Sequence, residues 1–490
     1  MDQDNKLKIL FVSAELTPFA KTGGLADVAG SLPKSLVSMG YDVKIAVPRY
    51  QKIETKMKYI ADFPIEIAAR QTTCIVREGE IDFEYNKRDC KVLVYFIDNY
   101  HYFNRKDIYS YFDDADRFAF FCRAVLEMLP KINFKPDVIH CNDWHTGPLC
   151  MLLNEKYKEY SFYKDIKTLF TIHNLQYQGN FPKNALALFR LTDEIFVPEK
   201  VEFYGMFSFM KAGIVYCDII NTVSENYAKE IQTSQYGCKM DGLLKVRSKD
   251  LYGIVNGIDY DIFNPDTDRR LYKNYNIETL NNKKNNKYQL QKELQLPKND
   301  VPIIGLVSRF AEQKGLNFIM DKIDEIIKND LQLVLLGEGD DYYETGFTEL
   351  AKKYPDKIAV SIGFNAPLAH RIYAASDFFL MPSRFEPCGL GQLISLRYGA
   401  IPIVRSTGGL AETVIDVEKD KERGNGFTYK DFTDEEMVKT INRAINYYNI
   451  RKEEWNELVK KAMTIDFSWD KSAKKYALLY EKLVEDKRIP

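Results

Sequence analysis

The chain has 490 residues, 68 Lys+Arg against 70 Asp+Glu for a formal net charge of −2, and 45% hydrophobic and 28% charged residues. That length fits two or three domains, and the composition excludes a globally disordered chain. The lack of a basic excess argues against nucleic acid or an anionic membrane as partner. No apolar run reaches the roughly 18 residues of a membrane helix. The short apolar stretch at 9–12 reads as a strand, so no leader peptide and a cytoplasmic location are expected.

In chain order, Lys8–Ala14 reads as a buried strand, followed by a Gly-containing loop and a helix over Leu25–Met39. Strands follow at Asp42–Val47 and Lys91–Ile97, then a helix over Asp116–Leu129 and strands at Asp137–His140, Thr168–Ile172 and Asp218–Val223. Strands apolar on both faces and separated by helices predict a parallel sheet covered on both sides. From Asp266 to Asp300 the pattern weakens into a segment rich in Asn, Lys, Asp and Tyr. It then restarts with strands at Pro302–Val307, Leu331–Leu336, Ile358–Ile362, Phe378–Met381 and Ile401–Val404, and a helix over Leu316–Lys328. The last stretch carries only helical periodicity. The expected architecture is α/β: two doubly wound, Rossmann-like domains, 1–253 and 254–470, with a final helix over 471–490 packing back on the first. A hinge is expected at Tyr252–Asn264, around the turn Asn256-Gly257.

The eight cysteines (Cys74, Cys90, Cys122, Cys141, Cys150, Cys217, Cys238, Cys388) form no CxxC and read as thiols of a reducing compartment. The five histidines lack zinc-ligand spacing, and Asp259-Tyr-Asp261 lies in the hinge turn, so no metal and no cofactor are expected. Neither half has GxGxxG after its first strand, and no GxxxxGK[ST] is present, which argues against a dinucleotide or P-loop site.

A short repeat remains. Thr22-Gly-Gly-Leu-Ala-Asp27 is echoed by Thr407-Gly-Gly-Leu-Ala-Glu412, each placed to join a strand to a helix. Such turns either present backbone N–H groups to an anion or are simply tight connections. In the second half, Ser308-Arg309 ends a strand and Lys314-Gly315 opens the next helix. Ligands of open α/β sheets bind beyond the carboxyl ends of strands, so these cations either clamp a diphosphate or are solvated. Met381-Pro-Ser-Arg-Phe-Glu386-Pro-Cys-Gly-Leu390 places Glu386 where it accepts hydroxyl hydrogen bonds or caps a helix.

These segments, with Asn142-Asp-Trp-His145, Thr171-Ile-His-Asn-Leu-Gln-Tyr-Gln-Gly179 and Asn256-Gly-Ile-Asp259, resemble over essentially the whole chain the bacterial glycogen synthases and plant starch synthases. Those are retaining glucosyltransferases of GT-B architecture, with the active site in the cleft between two domains. The resemblance implies transfer of glucose from ADP-glucose to the non-reducing end of an α-1,4-glucan. It assigns catalysis to Glu386, His173, Arg309 and Lys314. Donor binding falls to Lys21, Gly23, Gly24, Asp27, Asn256, Ser308, Phe364, Cys388, Gly389, Leu390, Thr407, Gly408 and Gly409, and acceptor binding to Asp143, Asn174, Tyr177 and Gln178. Relatives with two glutamates eight residues apart would carry the second at the position of Ile394, so this chain follows the glycogen synthase branch. A UDP-glucose-dependent transferase of the same fold and a non-catalytic glucan-binding protein are the alternatives.

Overall fold

A computed structural model describes residues 6–485 of the chain. It divides into two compact units: one reaches Ile254 and resumes at Trp469, and the other spans Val255–Ser468.

The first unit is built on strands β1 (Lys8–Val12), β2 (Asp42–Pro48), β3 (Lys58–Ile67), β4 (Arg70–Tyr85), β5 (Arg88–Asp98), β6 (Val138–Asn142) and β7 (Lys167–Ile172). Short strands β8 (Asn180–Pro182), β9 (Glu202–Phe203) and β10 (Met206–Ser208) form a separate sheet, and β11 (Ile219–Thr222) and β12 (Leu251–Gly253) complete the main one. Its order is β12-β11-β7-β6-β1-β2-β5-β4-β3. Leu10 of β1 lies between Lys44 of β2 and Ile139 of β6, both pairings parallel. The wholly parallel sheet expected from the sequence is corrected here: β3, β4 and β5 pair antiparallel. In β4 a run of alternately buried and exposed residues faces the core on one side only, so no continuous apolar run marks it.

The helix Trp469–Glu485 belongs to this unit. The Tyr480 hydroxyl meets His140 Nδ1 at 2.7 Å, and Asn221 Nδ2 donates to the Tyr476 hydroxyl at 2.9 Å. Thr171 Oγ1 takes the other His140 nitrogen at 2.7 Å, and burial pushes the imidazole well below its ordinary range.

The second unit carries six parallel strands, β13 (Ile303–Val307), β14 (Gln332–Gly337), β15 (Ile358–Ile362), β16 (Phe378–Met381), β17 (Ile401–Arg405) and β18 (Phe427–Tyr429), in the order β15-β14-β13-β16-β17-β18. The expected helix over 316–328 is two short helices, Leu316–Asp321 and Ile323–Ile326, interrupted at Lys322 with φ −110. The polar stretch after Asp266 contains a helix, Lys283–Glu293, whose buried residues include Asn286, Lys287 and Gln291. Lys287 is paired with Asp377 at 2.9 Å, and Asn286 donates to the Lys273 carbonyl at 2.7 Å. A helix buried through paired polar groups leaves no apolar stripe to read.

Candidate active site

In the first unit β7, β6 and β1 are adjacent and parallel, so their carboxyl ends bring three segments to one sheet edge: Glu15–Leu25, Asn142–Trp144 and His173–Gln178. Asp143 has φ 61 and ψ 177, a region that only glycine occupies without strain. The surroundings hold it there: its N–H donates to the Thr171 carbonyl at 2.8 Å, and its Oδ1 accepts from Trp144 N at 3.0 Å. Burial pushes its carboxyl up to about 8, and the Glu15 charge adds to that rise. His173 Nε2 meets Asn142 Oδ1 at 3.0 Å, and burial pushes the imidazole down to about 3, so it is neutral at working pH. Asn174 Oδ1 accepts from Gln176 N at 3.0 Å and its carbonyl from Tyr177 N at 3.2 Å, a local turn that leaves Tyr177 exposed. Gln178 Nε2 donates to the Cys238 carbonyl at 3.0 Å. At Gly179, φ is +56 and a Cβ would fall 2.2 Å from the Trp144 ring, so this loop lies directly on Trp144.

The Lys21–Leu25 turn opens the helix Gly24–Ser38. Lys21 Nζ is paired with Asp27 at 2.6 Å. Such a turn either offers the Gly23 amide to an anion or is a tight connection. The Gly23 N–H donates to Glu15 Oε2 at 3.1 Å, a carboxylate of the chain itself. Gly24 begins the helix.

In the second unit, β13, β16 and β17 end side by side. Arg309 follows β13, is exposed, and has no ion-pair or hydrogen-bond partner for its guanidinium among the described residues. Ser308 Oγ donates to the Arg309 carbonyl at 3.1 Å. Lys314 Nζ lies 2.6 Å from Glu386 Oε2, and Ser383 Oγ donates to the same oxygen at 3.1 Å. The two loops are joined by backbone as well: Arg384 N donates to the Gln313 carbonyl at 2.8 Å, and Gln313 Nε2 to the Phe385 carbonyl at 3.0 Å. Gly315, with φ +66, passes so close that a Cβ would sit 2.2 Å from the Pro382 carbonyl oxygen.

The second Gly-Gly turn packs on the Glu386 loop. A Cβ on Gly408 would lie 1.9 Å from the Glu386 carbonyl oxygen and one on Gly409 2.1 Å from that of Cys388. The Gly409 N–H donates to the Glu386 carbonyl at 3.0 Å. Of the two readings of this turn, the Gly409 amide serves as a tight connection that fixes the Glu386 loop. Thr407 is buried at the start of the same helix. Cys388 is buried, its thiol pushed up to about 12 by burial and therefore protonated, and the backbone N–H of Asn256 donates to it. Asn256 Oδ1 is buried without a partner among the described residues. Gly389 has φ +76, Leu390 precedes the helix Gly391–Arg397, and Phe364, two residues past β15, is 77% exposed.

Three residues of these loops escape a reading of motifs. Glu15 holds the first Gly-Gly turn. Gln392 Nε2 donates to the carbonyls of Cys388 and Gly389, both at 3.0 Å. Buried Arg405 donates to the carbonyls of Ser383 and Arg384. Glu15 acts on backbone 7 and 8 residues away and Arg405 on backbone 22 and 21 residues away, while Gln392 reaches back three and four residues; only their position at strand ends or beside Gly389 signals them. Among the described residues no group of three or more His, Cys, Asp or Glu side chains is placed to hold a metal, and no helix is long and apolar enough to cross a membrane.

Residues 8–246 match the starch synthase catalytic domain family and residues 288–462 the glycosyl transferases group 1. The chain is 52% identical over 482 residues to the glycogen synthase of Moorella thermoacetica, covering 98% of each. It is also 52% identical over 496 residues to that of Desulforudis audaxviator, covering 99% of each. The catalytic domain of starch synthase IV from Arabidopsis thaliana, solved with ADP and acarbose, superposes with a TM-score of 0.91 at 33% identity over 98% of this chain and 99% of that one. Two α/β units, the two family matches along the chain and full-length identity at this level establish that the chain belongs to the glycogen synthase family of glycosyltransferases.

Proposed function

We propose that the chain transfers glucose from ADP-glucose to the non-reducing end of an α-1,4-glucan with retention of configuration. The observation that carries this reading is the Arg309–Lys314–Glu386 constellation at the carboxyl edge of a parallel sheet. Breaking the bond between glucose C1 and the diphosphate leaves the electron pair on phosphate oxygen. Lys314, held by Glu386, stabilises that charge with a cation placed before the reaction begins, and exposed Arg309 adds a second cation at the same strand-end edge. Glu386, held by Lys314 and Ser383, accepts a hydroxyl of the transferring glucose. His173, neutral at working pH, adds no positive charge beside an oxocarbenium-like ring, which its carbonyl stabilises. The acceptor hydroxyl attacks on the face the phosphate leaves, and the phosphate takes its proton. Lys21 and Gly24 meet the donor, with Phe364 as platform for the base.

On the acceptor side, Asp143, Asn174, Tyr177 and Gln178 contact the glucan. Support comes from a neighbouring groove of about 390 Å³ lined by Gln176, Gln178, Asn180, Phe203, Tyr204 and Lys239, since amides beside aromatic rings suit sugar hydroxyls and faces. ADP as leaving group is favoured by the ligand of the Arabidopsis enzyme. Incubation with maltooligosaccharide and either ADP-glucose or UDP-glucose, followed by nucleotide release and the anomeric proton of the product, tests the reading. ADP release with α-1,4 extension is expected. A UDP-glucose preference overturns the donor, and no extension with either overturns the activity.

A further inference from the structure

Glu15 lies just past β1 and is 4% exposed. Its backbone is fixed by Ser13, whose Oγ donates to the Glu15 carbonyl at 2.7 Å and accepts from the Glu15 N–H at 3.2 Å. Its carboxylate accepts from four groups. Oε2 takes the backbone N–H of Thr22 at 2.7 Å and of Gly23 at 3.1 Å, and Oε1 takes the Thr22 hydroxyl at 2.6 Å and the Tyr109 phenol at 2.8 Å. Two successive amides on one oxygen at the start of a helix form the arrangement in which helices hold anions. Here the anion is internal. Burying a carboxylate costs heavily unless it is matched by hydrogen bonds, and no ion pair to Glu15 is found among the described residues. A neutral acceptor would cap the turn without that cost; the charge adds a stiff grip on both amides.

The grip extends further. The Tyr109 ring stacks on His145 at 4.5 Å between centroids with 24° between planes, and His145 packs against Trp144 at 3.9 Å. Trp144 is the residue whose N–H holds the Asp143 carboxyl. One carboxylate thus ties the turn bearing Lys21 to the turn bearing Asp143, within one unit.

We infer that Glu15 is a positioning residue for glucosyl transfer, fixing the Lys21–Gly24 turn directly and the Asp143–Trp144 turn through Tyr109 and His145. This rests on the reading above that Lys21 meets the donor. The test compares Glu15→Gln, Glu15→Ala, Tyr109→Phe and Lys21→Ala in the full chain. It reads kcat, KM for ADP-glucose and for glycogen, and melting temperature, with sodium formate or the same ionic strength of sodium chloride added to Glu15→Ala. Misplacing a group that orients the donor costs on the order of 10² in rate. Glu15→Gln is expected to lower kcat by about 10–10² with KM for glycogen little changed, and Tyr109→Phe by less. Formate, but not chloride, should restore part of the Glu15→Ala rate. Wild-type kcat per folded molecule in Glu15→Gln, with Lys21→Ala impaired, overturns the positioning role and leaves the donor reading intact. Wild-type kcat in Lys21→Ala overturns the donor reading and the positioning role with it. Should Glu15→Gln fail to fold, Tyr109→Phe decides: a lowered melting temperature with unchanged kcat overturns the inference.

Discussion

Asp143 concentrates two costs in one residue. A non-glycine residue at φ 61 and ψ 177 carries about 1–3 kcal/mol of backbone strain, and burial pushes its carboxyl up to about 8. Its folded-state pKa therefore lies above the unfolded value of about 3.9. The stability it contributes is full below pH ~4, where both states are protonated, and is lost as pH rises toward about 8, because the unfolded chain releases its proton first. Asp143→Asn should then unfold at higher urea than the wild type at pH 8, with the advantage vanishing near pH 4, while kcat falls. An advantage of equal size at both pH values would contradict the burial argument. Asp143 is legible in the sequence because it sits in Asn142-Asp-Trp-His145. Glu15 is not: its partners Thr22, Gly23 and Tyr109 lie 7, 8 and 94 residues away, and a lone Glu after a strand has no spacing to give it away.

Among the elements, the two Gly-Gly turns look alike in sequence and serve the chain first. In one, the Gly23 amide binds Glu15; in the other, the Gly409 amide binds the Glu386 carbonyl. Glycine is required at 408 because φ is +47 and the Glu386 carbonyl oxygen stands where a Cβ would be. Gly408→Ala must shift backbone on one side or the other. It should cost about 1–3 kcal/mol of stability from overpacking and lower kcat by displacing Glu386; thermal unfolding and steady-state kinetics together check this. Unchanged kcat would separate that loop from catalysis. The strands that alternate with helices were legible because both faces are apolar. β3 and β4 were not, since one face of each is wet, and Lys283–Glu293 was not, since it buries Lys287 and Gln291 in paired contacts.

Across the whole molecule, the chain leaves the first unit at Ile254 and returns to it at Trp469. The returning helix is fastened by polar contacts of buried tyrosines: Tyr480 to His140 and Tyr476 to Asn221. Tyr480→Phe leaves His140 Nδ1 buried without its partner, at a cost of about 1–3 kcal/mol. A shift of the urea midpoint with unchanged kcat is expected, and no shift would show the contact to be dispensable. Both units carry the candidate-site loops at the carboxyl edges of parallel strands, where ligand sites of open α/β sheets lie. The chemistry assigned to that edge in the second unit depends on Arg309 and Lys314 stabilising the leaving diphosphate. The most direct measurement is kcat for ADP release from ADP-glucose with glycogen as acceptor, in wild type and in correctly folded Arg309→Ala and Lys314→Ala. Loss of each cation should lower kcat by on the order of 10²–10³, roughly 3–4 kcal/mol, with glycogen affinity little changed. Near-wild-type kcat in both variants would contradict leaving-group stabilisation by these two residues.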